Sequence, residues 1–498
     1  MKTQDGAESQ SGAESQDGVT AREQAGEDVS GGRRRRRIRI ATGVSAGVLA
    51  GGLVVGGVLT LQPSGRPAAP PPAAGAAAAR AAVTKGIPAA PPELAALIGE
   101  RESHLRRHPR DAAAWAVLGT AYVEQGRRAA DPGNYPKAER ALHTSLRVRA
   151  RGNAAALDGL AALANARRDF RAARKWGEAA LKADSERWTT YPLLIEAYTG
   201  LGDLKAAQRT LDRLRELRSG PAVKARAATL YWDLGWREDA AAQLSDAAAA
   251  AGSAAERAAW LERAGQMAWE RGEREAALRH FQEALRTDPD QRVAQAGQGK
   301  ALAALGRTSE ALTAYRAALA KRPAPEHALE LGELYESLGL DQAARIHYDL
   351  LRERVRAAAA GGADEELVLG VFEADHGDAR AAVRRLRAEW RRQPSVAVAD
   401  ALGWALHRAG EHKEARKFAV RVTDRQKGIG VRSALYAYHR GMIERALGHE
   451  GAARRHLQEA LRLNPWFSPL HAPRARTALR ELGEPPVEPL PRGVRAPE

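Results

Sequence analysis

Two places in this 498-residue chain carry side chains whose types and spacing could do chemistry. His104 and His108 stand four apart, one helical turn, which lets two imidazoles reach a single metal ion. Arginines separate them and no carboxylate joins them at a metalloprotease spacing, so they read as a solvated pair. Residues 297–302, GQGKAL, carry the glycine and lysine of a phosphate-binding loop. That loop also needs glycine at 294 and a hydroxyl at 301, and alanine stands at both. There is no cysteine, which excludes disulfides, thiolate metal sites and cysteine nucleophiles. No paired acids and no Ser–His–Asp set stand out from the charged background. The reading is a binding protein, with no enzyme activity, no cofactor and no metal.

Charge points the same way. The net charge is +16, but lysine and arginine are spread along the chain, as solvated helix faces would have them. A nucleic-acid surface would gather them beside exposed aromatics, so no nucleic-acid partner is expected. The one dense cluster, Arg33 to Arg37, precedes residues 40–61, which hold no charge. About 20 apolar residues span a bilayer, and the core of a cleavable signal would be about 7–15 residues. Residues 40–61 therefore predict a transmembrane helix. The arginines of 33–39 place the N-terminus in the cytoplasm and the bulk of the chain outside the cell membrane. Gly43, Gly47 and Gly51, spaced by four, would let two such helices self-associate in lipid. Residues 1–32 read as a disordered acidic tail, 62–92 as a proline- and alanine-rich extended spacer, and 483–498 as a proline-rich tail.

Between the spacer and the tail, one pattern recurs. In Gly265 to Pro289 two helical segments are separated at Gly272. Small residues at 265 and 277 permit close approach, Phe281 fills the gap, and Pro289 ends the second helix. Glycines at 202, 235, 272, 306, 339, 377, 410 and 448 repeat the central break, most of them 33 or 34 residues apart. Copies with Trp115/Gly119/Tyr122, Gly299/Tyr315/Pro323 and Gly441/Leu457/Pro465 keep the same offsets. The second copy has Arg168 where the turn glycine belongs, and the first holds an insertion, RRAADPGNYP.

This pattern resembles the tetratricopeptide (TPR) repeat family. The resemblance covers residues 93–482 and implies an all-α solenoid of about ten helix–turn–helix units, with capping helices, behind one N-terminal transmembrane helix. High alanine and arginine content fits a bacterial, actinobacterial-type member. In the family, the first helices of the units line a concave groove that holds a protein or peptide. The resemblance assigns Trp232, Glu262, Trp269, Asp400, Trp404, Arg408, Tyr438 and Arg445 to that groove, with Gln266, Glu270, His407 and Met442 at equivalent positions. The expectation is a membrane-anchored scaffold that binds a polypeptide in an envelope process. The rival reading is a basic solenoid binding an anionic envelope polymer or lipid.

Overall fold

The computed structural model describes residues 74–484 apart from Arg322. The acidic tail, the arginine run, residues 40–61 with Gly43, Gly47 and Gly51, and the chain beyond 484 lie outside the described residues. Among the described residues no helix is long and apolar enough to cross a membrane.

The described residues form 23 α-helices. Ten antiparallel pairs follow one another, from Ala112–Ala129 with Tyr135–Val148 to Ala434–Ala446 with Glu450–Leu463. A leading pair precedes them and His471–Leu482 caps the far end. The leading pair includes Ala74–Lys85, inside the stretch that composition reads as an extended spacer. Its alanines explain the difference. Ala76, Ala79 and Ala82 with Val83 fall on one face and are buried against Leu94, Leu97 and the first unit. Alanine has the highest helix propensity, and a face of small residues lets a helix pack closely. The following helix runs Pro91–Arg107 and stops before Pro109.

The repeating break works as its spacing predicts at seven of the eight glycines; the eighth, Gly377, ends its helix with φ −141° and makes no left-handed turn. Gly202, Gly235, Gly272, Gly306, Gly339, Gly410 and Gly448 all hold positive φ, between 72° and 86°. Several first helices start at a side-chain cap, such as Ser253 accepting from the Glu256 amide and Ser395 from the Val398 amide. Within each unit the two helices touch through small residues. At the fifth, a Cβ on Gly265 would lie 2.6 Å from the Phe281 ring, and Gly297 of the next unit abuts the same ring. Phe281 is 1% exposed and has nowhere to move. Gly265→Ala should therefore destabilise by about 1–3 kcal/mol, the usual cost of overpacking, read as a lower urea midpoint; an unchanged midpoint would mean the pair can spread.

The solenoid winds far enough for its later loops to meet its earlier turns. Arg128, ending the first helix of the first pair, reaches Asp288 after the fifth pair at 2.6 Å. The Phe170 amide donates to Gln393 Oε1 at 2.9 Å, and Arg171 donates to the Arg391 carbonyl at 2.7 Å. Arg237 donates to the Arg432 carbonyl, and Asn464 Nδ2 to the Trp269 carbonyl at 2.8 Å. A Cβ on Gly272 would sit 2.9 Å from the Leu463 carbonyl oxygen, so this turn needs glycine for contact as well as for φ. Arg168, standing in for a turn glycine, takes φ 59°. Its guanidinium pairs with Glu326 and, at 3.3 Å, with Glu365. Left-handed backbone at a non-glycine residue costs about 1–3 kcal/mol, and these two carboxylates on the facing row offset it.

Candidate functional site: an interior channel

Turn packed on turn leaves an interior channel of about 1200 Å³. Small-molecule pockets are usually about 300–1,000 Å³, so this space exceeds a small-molecule site. Its lining includes Trp232, Asp233, Trp269, Glu270, Lys300, Glu330, Asp400, Trp404, Tyr436, His439, Trp466 and His471. Nine carboxylates and six arginine or lysine side chains face it. The interior is thus net acidic in a chain of net charge +16.

Two clusters stand out. The first comes from the fourth and fifth pairs. Pro221–Asp233 ends in Trp232-Asp233, and Ala254–Glu270 ends in Trp269-Glu270. Both dipeptides lie just before the turn glycine, so successive units present a tryptophan and a carboxylate at matching places. The Arg237 guanidinium lies 4.6 Å from the centre of the Trp232 ring, and Lys300 Nζ 6.0 Å from that of Trp269. Lys300 also pairs with Glu330 at 2.6 Å. Burial alone would raise the Glu330 carboxyl, but Lys300 and His327 pull it down to about 2. Asp233 has no such help: burial pushes its carboxyl up to about 7. Glu270 is raised by burial, opposed by Lys300, Arg237 and the amide of Gln266 at 3.3 Å. Tyr436 comes from the tenth pair, across the channel. Burial pushes its hydroxyl far up, and Asp400, Glu270 and Asp233 add to the effect.

The second cluster surrounds Trp404. Its indole N–H donates to Asp375 Oδ1 at 3.0 Å, and its ring stacks on His439 at 4.3 Å between centroids. His439 Nδ1 meets Asp400 Oδ2 at 2.8 Å, and His471 Nε2 meets Asp375 Oδ2 at 3.2 Å. Burial works to raise the Asp375 carboxyl, but His471, His439 and the indole hold it well below the usual range. Among the described residues no group of three or more metal-ligating side chains converges. His104 meets Asp111 Oδ2 at 2.9 Å, and its ring lies tilted beside that of His108, 4.7 Å between centroids.

Of the eight side chains assigned to a groove from sequence, Trp232, Trp269, Asp400 and Trp404 line the channel. Trp404 and Tyr438 are neighbours, 5.6 Å between centroids, as their places on successive first helices predict. They are 3% and 1% exposed, packed into the wall of the last units. Arg408 donates to the Ala374 carbonyl at 3.2 Å, and Arg445 pairs with Glu481 at 2.6 Å, so both already hold contacts within the wall. Glu262 is half-buried, its carboxyl raised by burial against the pull of Arg263, His327 and Lys300. Sequence reasoning missed Asp233, Lys300 and Tyr436. Asp233 could have been found, because it precedes Gly235 by the interval at which Glu270 precedes Gly272. Tyr436 could not, since only the closing of the superhelix brings it opposite.

Residues 297–363, the sixth and seventh pairs, match the family model described as Tetratricopeptide repeat. The remaining pairs are TPR-like in architecture, a solenoid of helix–turn–helix units. No curated protein matches the chain. Among solved structures, a human IFIT1 dimer with PPP-AAAA is 17% identical, covering 62% of this chain and 72% of that one, at a TM-score of 0.43. The Cut9 chain of the APC/C heterotetramer Cut9–Hcn1 is 15% identical over 74% of this chain and 76% of that one, at 0.37. MamA protein is 20% identical over 34% of this chain and 91% of that one, at 0.26.

Proposed function

We propose that this chain is a single-pass, membrane-anchored scaffold whose TPR-like solenoid stands outside the cell membrane and holds a polypeptide in its channel, in an envelope process. The channel carries the reading. It is larger than a small-molecule site, and Trp232 and Trp466 face it among carboxylates, a mixed surface of the kind that anchors peptide side chains. The rival occupant, an anionic polymer, meets a net acidic interior. The charge-free span at 40–61 and the arginines before it support the anchor and the orientation.

The absence of native cysteine makes one introduced thiol unique. Ala303→Cys places it in the channel wall. A membrane-impermeant maleimide carrying a photocrosslinker should label this residue in intact, wall-stripped cells and capture polypeptide that stays bound between about 50 and 200 mM salt. Polyanion binding falls steeply across that range. Labelling only after lysis would overturn the orientation. Capture of polyanion alone, lost with salt, would overturn the polypeptide.

A further inference from the structure

We propose that the protein assembles head to tail with further copies of itself, the turns of the sixth to tenth pairs in one copy docking on the loops after the first to fourth pairs of the next. This does not depend on what the channel holds.

The superhelix has two free edges. In a stack of antiparallel pairs, the turn within each pair lies on one side of the ribbon and the loop to the next pair on the other. The contacts across the seam join turns of the first five pairs to loops of the later ones: Arg128 to Asp288, Arg168 to Glu326, Arg237 to the Arg432 carbonyl, Asn464 to the Trp269 carbonyl. The turns of the sixth to tenth pairs and the loops after the first to fourth are left over, at opposite edges. The glycines mark the difference. A Cβ at Gly202 would lie 2.3 Å from the Pro394 carbonyl oxygen, and one at Gly272 2.9 Å from that of Leu463. At Gly306, Gly339, Gly410 and Gly448 in the free turns, and at Gly152 and Gly220 in the free loops, a Cβ would meet nothing within 4 Å. The free turn row therefore repeats the row that docks inside the molecule, with nothing docked on it.

Charge selects the occupant. From the turn glycine to the first residue of the second helix, the free turns hold Asp341, Asp378, Glu411 and Glu450, all exposed, against Arg307, which Glu310 holds at 2.7 Å. Asp341 and Glu450 make no ion pair among the described residues. The free loops hold Arg149, Arg151 and Arg218, exposed and likewise without an ion pair, against Asp184. Their other charges, Glu186 and Arg187, are taken by Arg213 and Asp158. Each edge also has an apolar side chain in the open: Leu340, 48% exposed, beside Asp341, and Val148, 38% exposed, beside Arg149. Turn row on turn row would set acid against acid, and loop row on loop row base against base, which is costly at an interface. Turn row on loop row pairs opposite signs and continues the seam from one copy to the next. A contact between two different patches of the same chain does not close on itself, so it builds an open row of copies.

The test uses the full chain in detergent and sedimentation velocity. Between about 1 and 100 µM the mass should grow past twice that of the monomer. Raising salt from about 50 to 500 mM should weaken the association about tenfold or more. Asp341→Lys with Glu450→Lys reverses the turn row, and Arg149→Glu with Arg151→Glu reverses the loop row. Each of these proteins alone should stay monomeric while melting close to the parent. Mixed with each other, or combined in one chain, the two sets of changes should restore growth, because opposite signs face again. A parent whose mass does not change with concentration overturns the inference. So does a dimer that both reversed proteins keep, which is pairing through the anchor. A combined chain that folds and stays monomeric overturns it as well, since charge then does not join the rows.

Discussion

Trp404→Ala should lower the stability of the last three units by about 3–5 kcal/mol, the range for cutting a buried aromatic to alanine. The ring is 3% exposed, stacks on His439 and packs beside Tyr438. Its N–H also satisfies Asp375, which keeps only His471 and a distant Arg408 once the indole is gone. In an array whose units contact mainly their neighbours, stability is a sum of local terms. The loss should therefore appear as an early transition in urea, with the first units unfolding later. Trp404→Phe keeps an aromatic ring, smaller than the indole, and drops the hydrogen bond, so it should recover part of the loss. Tryptophan fluorescence and far-ultraviolet circular dichroism, followed together, check this. A Trp404→Ala protein that unfolds like the parent would return the ring to the role assigned from sequence, an open contact for a partner.

The second large effect is on shape. Combining Arg128→Ala, Gln393→Ala and Asn464→Ala removes one side-chain contact at each of three places where the superhelix meets itself. Each hydrogen bond is worth about 1 kcal/mol net. Together they hold turns whose remaining contacts are mostly to adjacent units. The triple variant should keep its helix content and open along the axis, seen as a larger maximum dimension in small-angle X-ray scattering and faster cleavage in the loops around 288, 393 and 464. An unchanged scattering curve would mean that glycine contacts such as Gly272 against Leu463 close the superhelix unaided.

The contrast between these two features explains what was legible in the sequence. The units were legible because nearly every one takes a positive-φ residue at its turn and small residues where its helices cross, and glycine does both jobs at a near-regular period; Gly377 keeps the period without the positive φ. Even the exception could be located: Arg168 stands where the period demands glycine and adopts the same backbone. The helix Ala74–Lys85 was hidden by proline and alanine composition, which reads as a spacer until its buried face is seen. The closing of the superhelix had no signature. Much of it runs to backbone carbonyls, those of Trp269, Gly361, Arg391 and Arg432, and every residue has one. For that reason the aromatic positions were found but their surroundings were not. A tryptophan at the right place in its unit can face an open groove, an enclosed channel or a neighbouring helix, and the choice depends on units about 200 residues away.

For a strand held as proposed, the row of contacts between successive turns would also set the route of entry. An open groove lets a strand settle sideways from any direction. Here the side is stapled shut by Arg128–Asp288, Phe170–Gln393 and Trp269–Asn464. A strand must then thread in from an end, or wait for the staples to part. A strand flanked by folded domains on both sides could not slide free at all. Its residence time would follow the opening rate of the seam rather than the strength of its contacts with the wall.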